Sequence, residues 1–248
     1  MSWIETTLTR LPHYISENVL FGGHFVAPYL QVAVQHAIGG QHAVSFPLDG
    51  FTFNCRSSHK YFFQRENYER ELWPVLCRSV GPQDVVYEVG AHYGYWALRL
   101  SRRCAHVFAF EPSPENFAQL SHNIDCNAIG NITAISAACA AREGHLAFAE
   151  EGSMARVANE GITVPAVTLD GFATDHPMPS LILMDVEGFG GEVLQGASRV
   201  LSQGPNIVCE IHSKQEFTQF MSALEPCGYR FEGLEKKDRY PFRLAGSK

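Results

Sequence analysis

Asp185 and Glu187 stand two residues apart in LILMDVEGFGGEVL, directly after an apolar run, and Gly188, Gly190 and Gly191 follow. A second pair, Glu210 and His212, ends a similar run in NIVCEIH. Side chains two apart on an extended tip point the same way. Carboxylates and an imidazole gathered on one rim could bind and deprotonate a hydroxyl, or hold a divalent cation. His212, Asp185, Glu187 and Glu210 are therefore the candidate catalytic residues. His212 is the first choice for base, because an imidazole titrates near neutrality. Asp185 or Glu187 would orient it, or serve as the base itself. A cation would take Asp185, Glu210 and His212, although no spacing proves that set. The plainer alternative is that one acid caps the following helix while the other is solvated.

An acid and two glycines also end an earlier run, in VVYEVGAHYGYW. Glu88 precedes Gly90, Ala91, His92 and Gly94. A dinucleotide turn of the GxGxxG kind wants glycine at positions 92 and 95, where His92 and Tyr95 stand. No GKS or GKT phosphate loop occurs either. What remains is an acid-x-Gly-x-x-x-Gly turn, similar to that of S-adenosylmethionine-dependent methyltransferases. Such a cofactor carries an ammonium, a sulfonium and a carboxylate in place of a diphosphate. Glu88 would hold its amino-acid end, and the glycines would let the backbone approach closely. In FEPSPENF, Glu111 sits at the next strand tip with Pro112 and Ser113 behind it. An acid there can accept from both ribose hydroxyls. Ala137 and Ala138, after the third strand, would leave a slot for adenine. Asp185 is expected to border cofactor and acceptor alike.

Regular alternation begins near residue 84 and would position these groups. Strands are expected at 84–89, 106–111, 131–137, 181–185 and 207–211. Helices are expected at 95–103, 113–128, 192–202 and 214–227, the second opening on Ser113 as N-cap and Pro114 at the first helical position. Short strands fill the variable region after 137, and a hairpin at 229–234 and 240–246 ends the chain. Such alternation predicts an α/β fold with a parallel sheet covered on both faces. Ligands on such sheets bind beyond the carboxyl ends of the strands. Upstream the pattern is irregular: a helix at 24–40, a hairpin at 43–56 turning on Asp49-Gly50, and a helix at 61–80. We therefore divide the chain into an N-terminal helical and hairpin extension, 1–80, covering the site, and a cofactor-binding domain, 81–248. Phe51, Phe53, Tyr61, Phe62 and Phe63 read as core, and His59 and Tyr68 as acceptor contacts. The 24–40 helix is a candidate homodimer surface.

Composition narrows the partners. A net charge of −7 with 18% charged residues argues against a nucleic-acid protein held by backbone electrostatics. No stretch reaches the roughly 18 apolar residues of a membrane span, and the start, with Glu5, lacks a basic-then-apolar leader pattern. The expectation is a cytoplasmic protein without membrane partners. The seven cysteines form no CxxC pair, so buried thiols are expected rather than disulfides or a zinc site.

Taken together, YEVGAHYGYWAL, FAFEPSPENFAQLSHNI, VTLDGF and MDVEGFGGEVLQGA with NIVCEIH downstream resemble the FkbM family of S-adenosylmethionine-dependent methyltransferases. The resemblance covers roughly residues 65 to 215, and the D-x-E-G core is its most specific part. It implies the class I methyltransferase fold, a Rossmann-like, doubly wound, mostly parallel seven-stranded sheet. It also implies O-methylation of a hydroxyl on a small molecule, sugar or secondary metabolite, by in-line displacement with a general base. His92 stands where the family often has Asn, Glu88 where Asp is usual, Leu183 where Lys often precedes the motif, and Gly190 for a frequent Glu. Leu183 and Gly190 are expected beside the acceptor pocket. Two alternatives stay open. An N-methyltransferase is disfavoured by the lack of an Asn-Pro-Pro-aromatic motif at the fourth strand. A catalytically silent cofactor-binding module is disfavoured by the intact Glu88, Gly90, Glu111 and Asp185.

Overall fold

In the computed structural model, residues 43–64, 71–151, 154–157, 161–234 and 242–247 are described. The helix expected at 24–40, and Tyr68, lie outside them. The chain forms two compact units, residues 1–68 and 69–248.

In the first unit, β1 (Ala43–Leu48) and β2 (Phe51–Arg56) pair antiparallel. Asp49 and Gly50 both take positive φ, 48° and 79°, as the two-residue turn matching strand twist requires. Phe51, Phe53 and Cys55 alternate inward along β2, and Phe63 of α1 (Ser57–Phe63) packs edge-on against Phe53 at 4.9 Å.

The second unit opens with α2 (Leu72–Ser79). The helix expected over 61–80 is thus two helices in the described residues, 57–63 and 72–79. Pro74 supplies a reason. Inside one long helix it would cost about 3 kcal/mol. In the first turn of α2 its missing N–H has no partner to lose.

Alternation then follows as expected. β3 (Val85–Val89), α3 (Tyr95–Ser101), β4 (His106–Phe110), α4 (Pro114–Cys126) and β5 (Ile132–Ile135) make one half. The variable region holds β6 (Ala138–Cys139), β7 (Gly144–Glu151), β8 (Met154–Val157) and β9 (Ile162–Val167), which form a separate sheet in the order β6-β9-β7-β8. α5 (Leu169–Asp175), β10 (Leu181–Met184), α6 (Gly190–Gln195), α7 (Ser198–Ser202), β11 (Asn206–Ile211), α8 (Lys214–Leu224), β12 (Arg230–Gly233) and β13 (Phe242–Ser247) complete the chain. The main sheet has seven strands in the order β12-β13-β11-β10-β3-β4-β5. β5, β4, β3, β10 and β11 run parallel, and β13 pairs antiparallel with both β11 and β12, so β12 shares the direction of the other five and β13 alone is reversed. The chain winds outward in both directions from β3, so the switch point lies between β3 and β10. All four β10 side chains are buried, as a parallel strand covered on both faces requires.

The helix expected over 192–202 is also two. Gly196 passes so close to the Ala140 carbonyl that a Cβ there would lie 2.1 Å from its oxygen. Asp170 then restarts the helix, its carboxylate accepting from the N–H groups of Arg199 and Val200 at 2.9 Å each. α5, which periodicity did not reveal, is capped by Thr168 through the Gly171 N–H at 2.9 Å. Cys55, Cys104, Cys139 and Cys209 are buried thiols as expected, whereas Cys126 is exposed. No helix among the described residues is long and apolar enough to cross a membrane.

Candidate active site

The turn after β3 is built around three left-handed residues, Gly90, His92 and Gly94, at φ 87°, 51° and 85°. Gly90 is required there by contact as well as by φ. A Cβ on it would lie 1.9 Å from the Asp185 carbonyl oxygen, because the tips of β3 and β10 converge. His92 is the unusual member, since residues other than glycine seldom adopt positive φ. Its ring stacks on Tyr93 at 3.9 Å. The amides of the turn face inward. Those of Gly90 and Ala91 both donate to the Phe110 carbonyl at 3.0 Å, and that of Gly94 donates to Ala91. The His92 amide donates to Glu111 Oε2 at 2.7 Å. A phosphate cradle needs such amides turned outward, so the geometry agrees with the motif in disfavouring a diphosphate.

Glu111 is buried at the tip of β4. Besides His92, it accepts from the Ser113 amide at 2.9 Å and from Asn116 Nδ2 at 3.4 Å. It thereby ties the β3 turn to the start of α4. A carboxylate offers about four lone-pair sites, and these three donors engage most of them, so a ribose would have to share this carboxylate with the turn. Glu88, 3% exposed, is a carboxylate inside the sheet, in register with Ala109 and Leu183. Ser113 caps α4 through the Asn116 amide, so its hydroxyl is engaged by the helix. Pro112 is half-buried and Ala137 buried beyond the tips of β4 and β5. Ala138 is different from expectation. It belongs to β6 and packs with Phe148 and Val164 in the core of the second sheet, because the chain has already left the main sheet.

The β10 and β11 tips bring Asp185, Glu187 and His212 together. Glu187 and Gly188, at φ 50° and 93°, turn the chain from β10 toward α6. His212 Nε2 lies 3.0 Å from Asp185 Oδ1, and Nδ1 lies 3.4 Å from Glu187 Oε2. The side chains of His212 and Asp185 are 18% and 48% exposed. Burial pulls the His212 pKa down, but the Asp185 hydrogen bond and charge, with Glu187 and Glu210, outweigh it and push it up to about 9. At neutral pH the ring therefore carries both protons. In this arrangement His212 is a donor, which removes the reason for making it first choice as base.

Glu210 does not complete the expected rim of four. It is still in β11, in register with Arg243, whereas His212 lies beyond the strand. Among the described residues, Asp185, Glu187 and His212 form the group with ligand atoms within 4.8 Å of one another. The cation set expected with Glu210 is thus redrawn with Glu187. Here each ring nitrogen faces a different carboxylate, so a cation would have to displace a proton and take one nitrogen alone.

Sequence reasoning missed Glu216. It is 1% exposed. Its Oε2 accepts from the His212 amide at 2.7 Å and its Oε1 from the Gly190 amide at 3.1 Å. Its own amide donates to Ser213 Oγ at 3.0 Å. The readable signal was Ser213-x-x-Glu216, a capping-box spacing. Gly190 and Gly191 are small because α8 packs against them: a Cβ would lie 2.9 Å from Glu216 Oε1 and 2.7 Å from Gln219 Cβ respectively. Of the three glycines, Gly188 alone has nothing within 4 Å of an added Cβ. Leu183 and Gly190, expected beside the acceptor, are both buried in packing. His59 is buried in α1 of the first unit, and Tyr68 lies outside the described residues.

The fold is that of class I methyltransferases. Methyltransferase FkbM from Methylobacillus flagellatus KT superposes with a TM-score of 0.53 at 16% identity, over 77% of this chain and 54% of that one. M. jannaschii TYW2 in complex with AdoMet gives 0.53 at 15% identity, over 84% and 86%. The methyltransferase FkbM domain matches residues 88–231, and the chain belongs to that family. It is 28% identical over 152 residues to the hexuronic acid methyltransferase AglP of Haloferax volcanii, a stretch covering 58% of this chain and 63% of that protein. The matched region thus spans less than two thirds of that relative, and about half of the FkbM structure.

Proposed function

We propose that the chain is an S-adenosylmethionine-dependent O-methyltransferase acting on a sugar hydroxyl, with a hexuronic acid glycoside as the leading acceptor class. One observation carries the reading: the Gly90 turn abuts Asp185, so a cofactor turn without outward amides meets a carboxylate–imidazole cluster. Family membership supports methyl transfer, and the AglP relative supports the sugar. Glu88 would face the cofactor's ammonium, and Glu111 would accept from its ribose. Bound there, the cofactor supplies a methyl group already activated by its sulfonium.

The protein's tasks are to align the acceptor oxygen about 3 Å from that carbon, receive its proton and exclude water. The acceptor's proton would pass to Asp185, the most exposed of the three groups, or to Glu187 as the acceptor oxygen takes the methyl group. Protonated His212 holds both carboxylates in place. The test is S-adenosylhomocysteine formation on a panel of glucuronides, neutral hexosides and simple amines. Turnover on a glycoside but not on amines is expected. Turnover on amines alone would overturn O-methylation.

A further inference from the structure

We propose that Glu216 is a positioning residue for the candidate active site, a buried carboxylate clamp that fixes the β11 tip against the β10 tip so that His212 meets Asp185. The inference rests on the Asp185–His212 reading above and adds a residue outside the family motifs quoted earlier. Its two oxygens divide between the segments that follow β10 and β11. Oε2 accepts from the His212 amide at 2.7 Å, and Oε1 accepts from the Gly190 amide at 3.1 Å. Gly190 follows Glu187 by three residues and opens α6. One carboxylate therefore sets the backbone of both partners of the ion pair: His212 directly, and Asp185 and Glu187 through the short turn between them and Gly190.

The clamp is itself held. Glu216 lies in the first turn of α8, whose N-cap is Ser213, and Ser213 Oγ accepts from the Glu216 amide at 3.0 Å. Gly190 lacks the Cβ that would lie 2.9 Å from Glu216 Oε1, so the carboxylate can reach the amide. Phe220, one turn on, is fully buried in the main core. α8 is thus anchored to the sheet and can carry a fixed acceptor. A buried carboxylate met by two amide donors is well satisfied, whereas removing it strands both amides away from water.

The experiment compares wild type, Glu216→Gln and Ser213→Ala. The amide of glutamine can accept from one backbone N–H but turns its own donor toward the other. Ser213→Ala removes the helix cap and leaves the carboxylate. Imidazole titration by NMR reads the clamp without any acceptor. We expect the His212 pKa to drop toward 6.5 in folded Glu216→Gln and to move less in Ser213→Ala, which loosens the helix start but keeps the carboxylate, although both melt earlier. With a glucuronide as acceptor probe, kcat of Glu216→Gln should fall on the order of 10²-fold, with S-adenosylmethionine affinity nearly unchanged. An unchanged His212 pKa in folded Glu216→Gln would overturn the clamp. Should that variant fail to fold, amide hydrogen exchange on wild type decides: slow exchange at His212 and Gly190 supports the clamp, and exchange as fast as in open loops contradicts it. Failure of wild type to bind S-adenosylmethionine would undo the proposed function, while the titration would still judge the clamp.

Discussion

In the proposed reaction Asp185 and His212 would divide labour in a way their residue types alone do not reveal. An imidazole between two carboxylates is held protonated, so the carboxylates become the candidate bases and the ring their anchor. Asp185→Ala should then keep S-adenosylmethionine affinity within a few-fold and lose turnover by about 10² to 10⁴-fold, the usual worth of a general base. Calorimetry beside a turnover assay checks both, and wild-type turnover by that variant would end the assignment. The same ion pair predicts a pH dependence of stability. The folded pKa of about 9 lies above the ordinary 6.5, so the folded state binds the proton more tightly than the unfolded chain. The stabilisation is full below 6.5 and fades as pH rises through 9. The gap in urea midpoint between wild type and His212→Gln should therefore be wide at pH 6 and narrow at pH 10. A gap that widens with pH would contradict the pairing. Chelation with EDTA should leave turnover unchanged, since both ring nitrogens already face carboxylates. Loss of turnover restored by magnesium would instead place a cation among Asp185, Glu187 and His212.

At the scale of elements, glycines and caps decide how strands hand over to helices. Gly90→Ala would push a Cβ to 1.9 Å from the Asp185 carbonyl and strain a φ of 87°. It should abolish cofactor binding in calorimetry and lower the melting temperature. Asp170→Ala, which uncaps α7, should cost about 1 kcal/mol and leave cofactor affinity intact, as a denaturation curve beside calorimetry would show. The main sheet was legible because its inner parallel strands are largely buried on both faces and read as mostly apolar runs with ionisable residues or glycine at or just past their ends. The hairpin was legible because Asp49-Gly50 suits so few other conformations. What sequence hid was mostly long-range. Glu216 reaches Gly190 far upstream, and only its local Ser213 spacing was visible. Gly196 breaks a helix because of Ala140, a neighbour in space and not in sequence. Glu210 and His212 have the right spacing to share a rim, but β11 ends between them. Pro74 was readable in principle, since a proline in the middle of a supposed helix already argued for a restart.

Across the whole molecule, the family domain at 88–231 spans the β3 turn, the Asp185 motif and α8. The chain's relation to a hexuronic acid methyltransferase is one of partial length. The central claim is that the β3 turn and the β4 tip receive S-adenosylmethionine and not a dinucleotide. Titration calorimetry with S-adenosylmethionine, S-adenosylhomocysteine and NAD on the full chain tests it most directly. The account predicts micromolar binding of the first two and none of NAD. Binding of NAD, or of neither methyl-cofactor form, would contradict it.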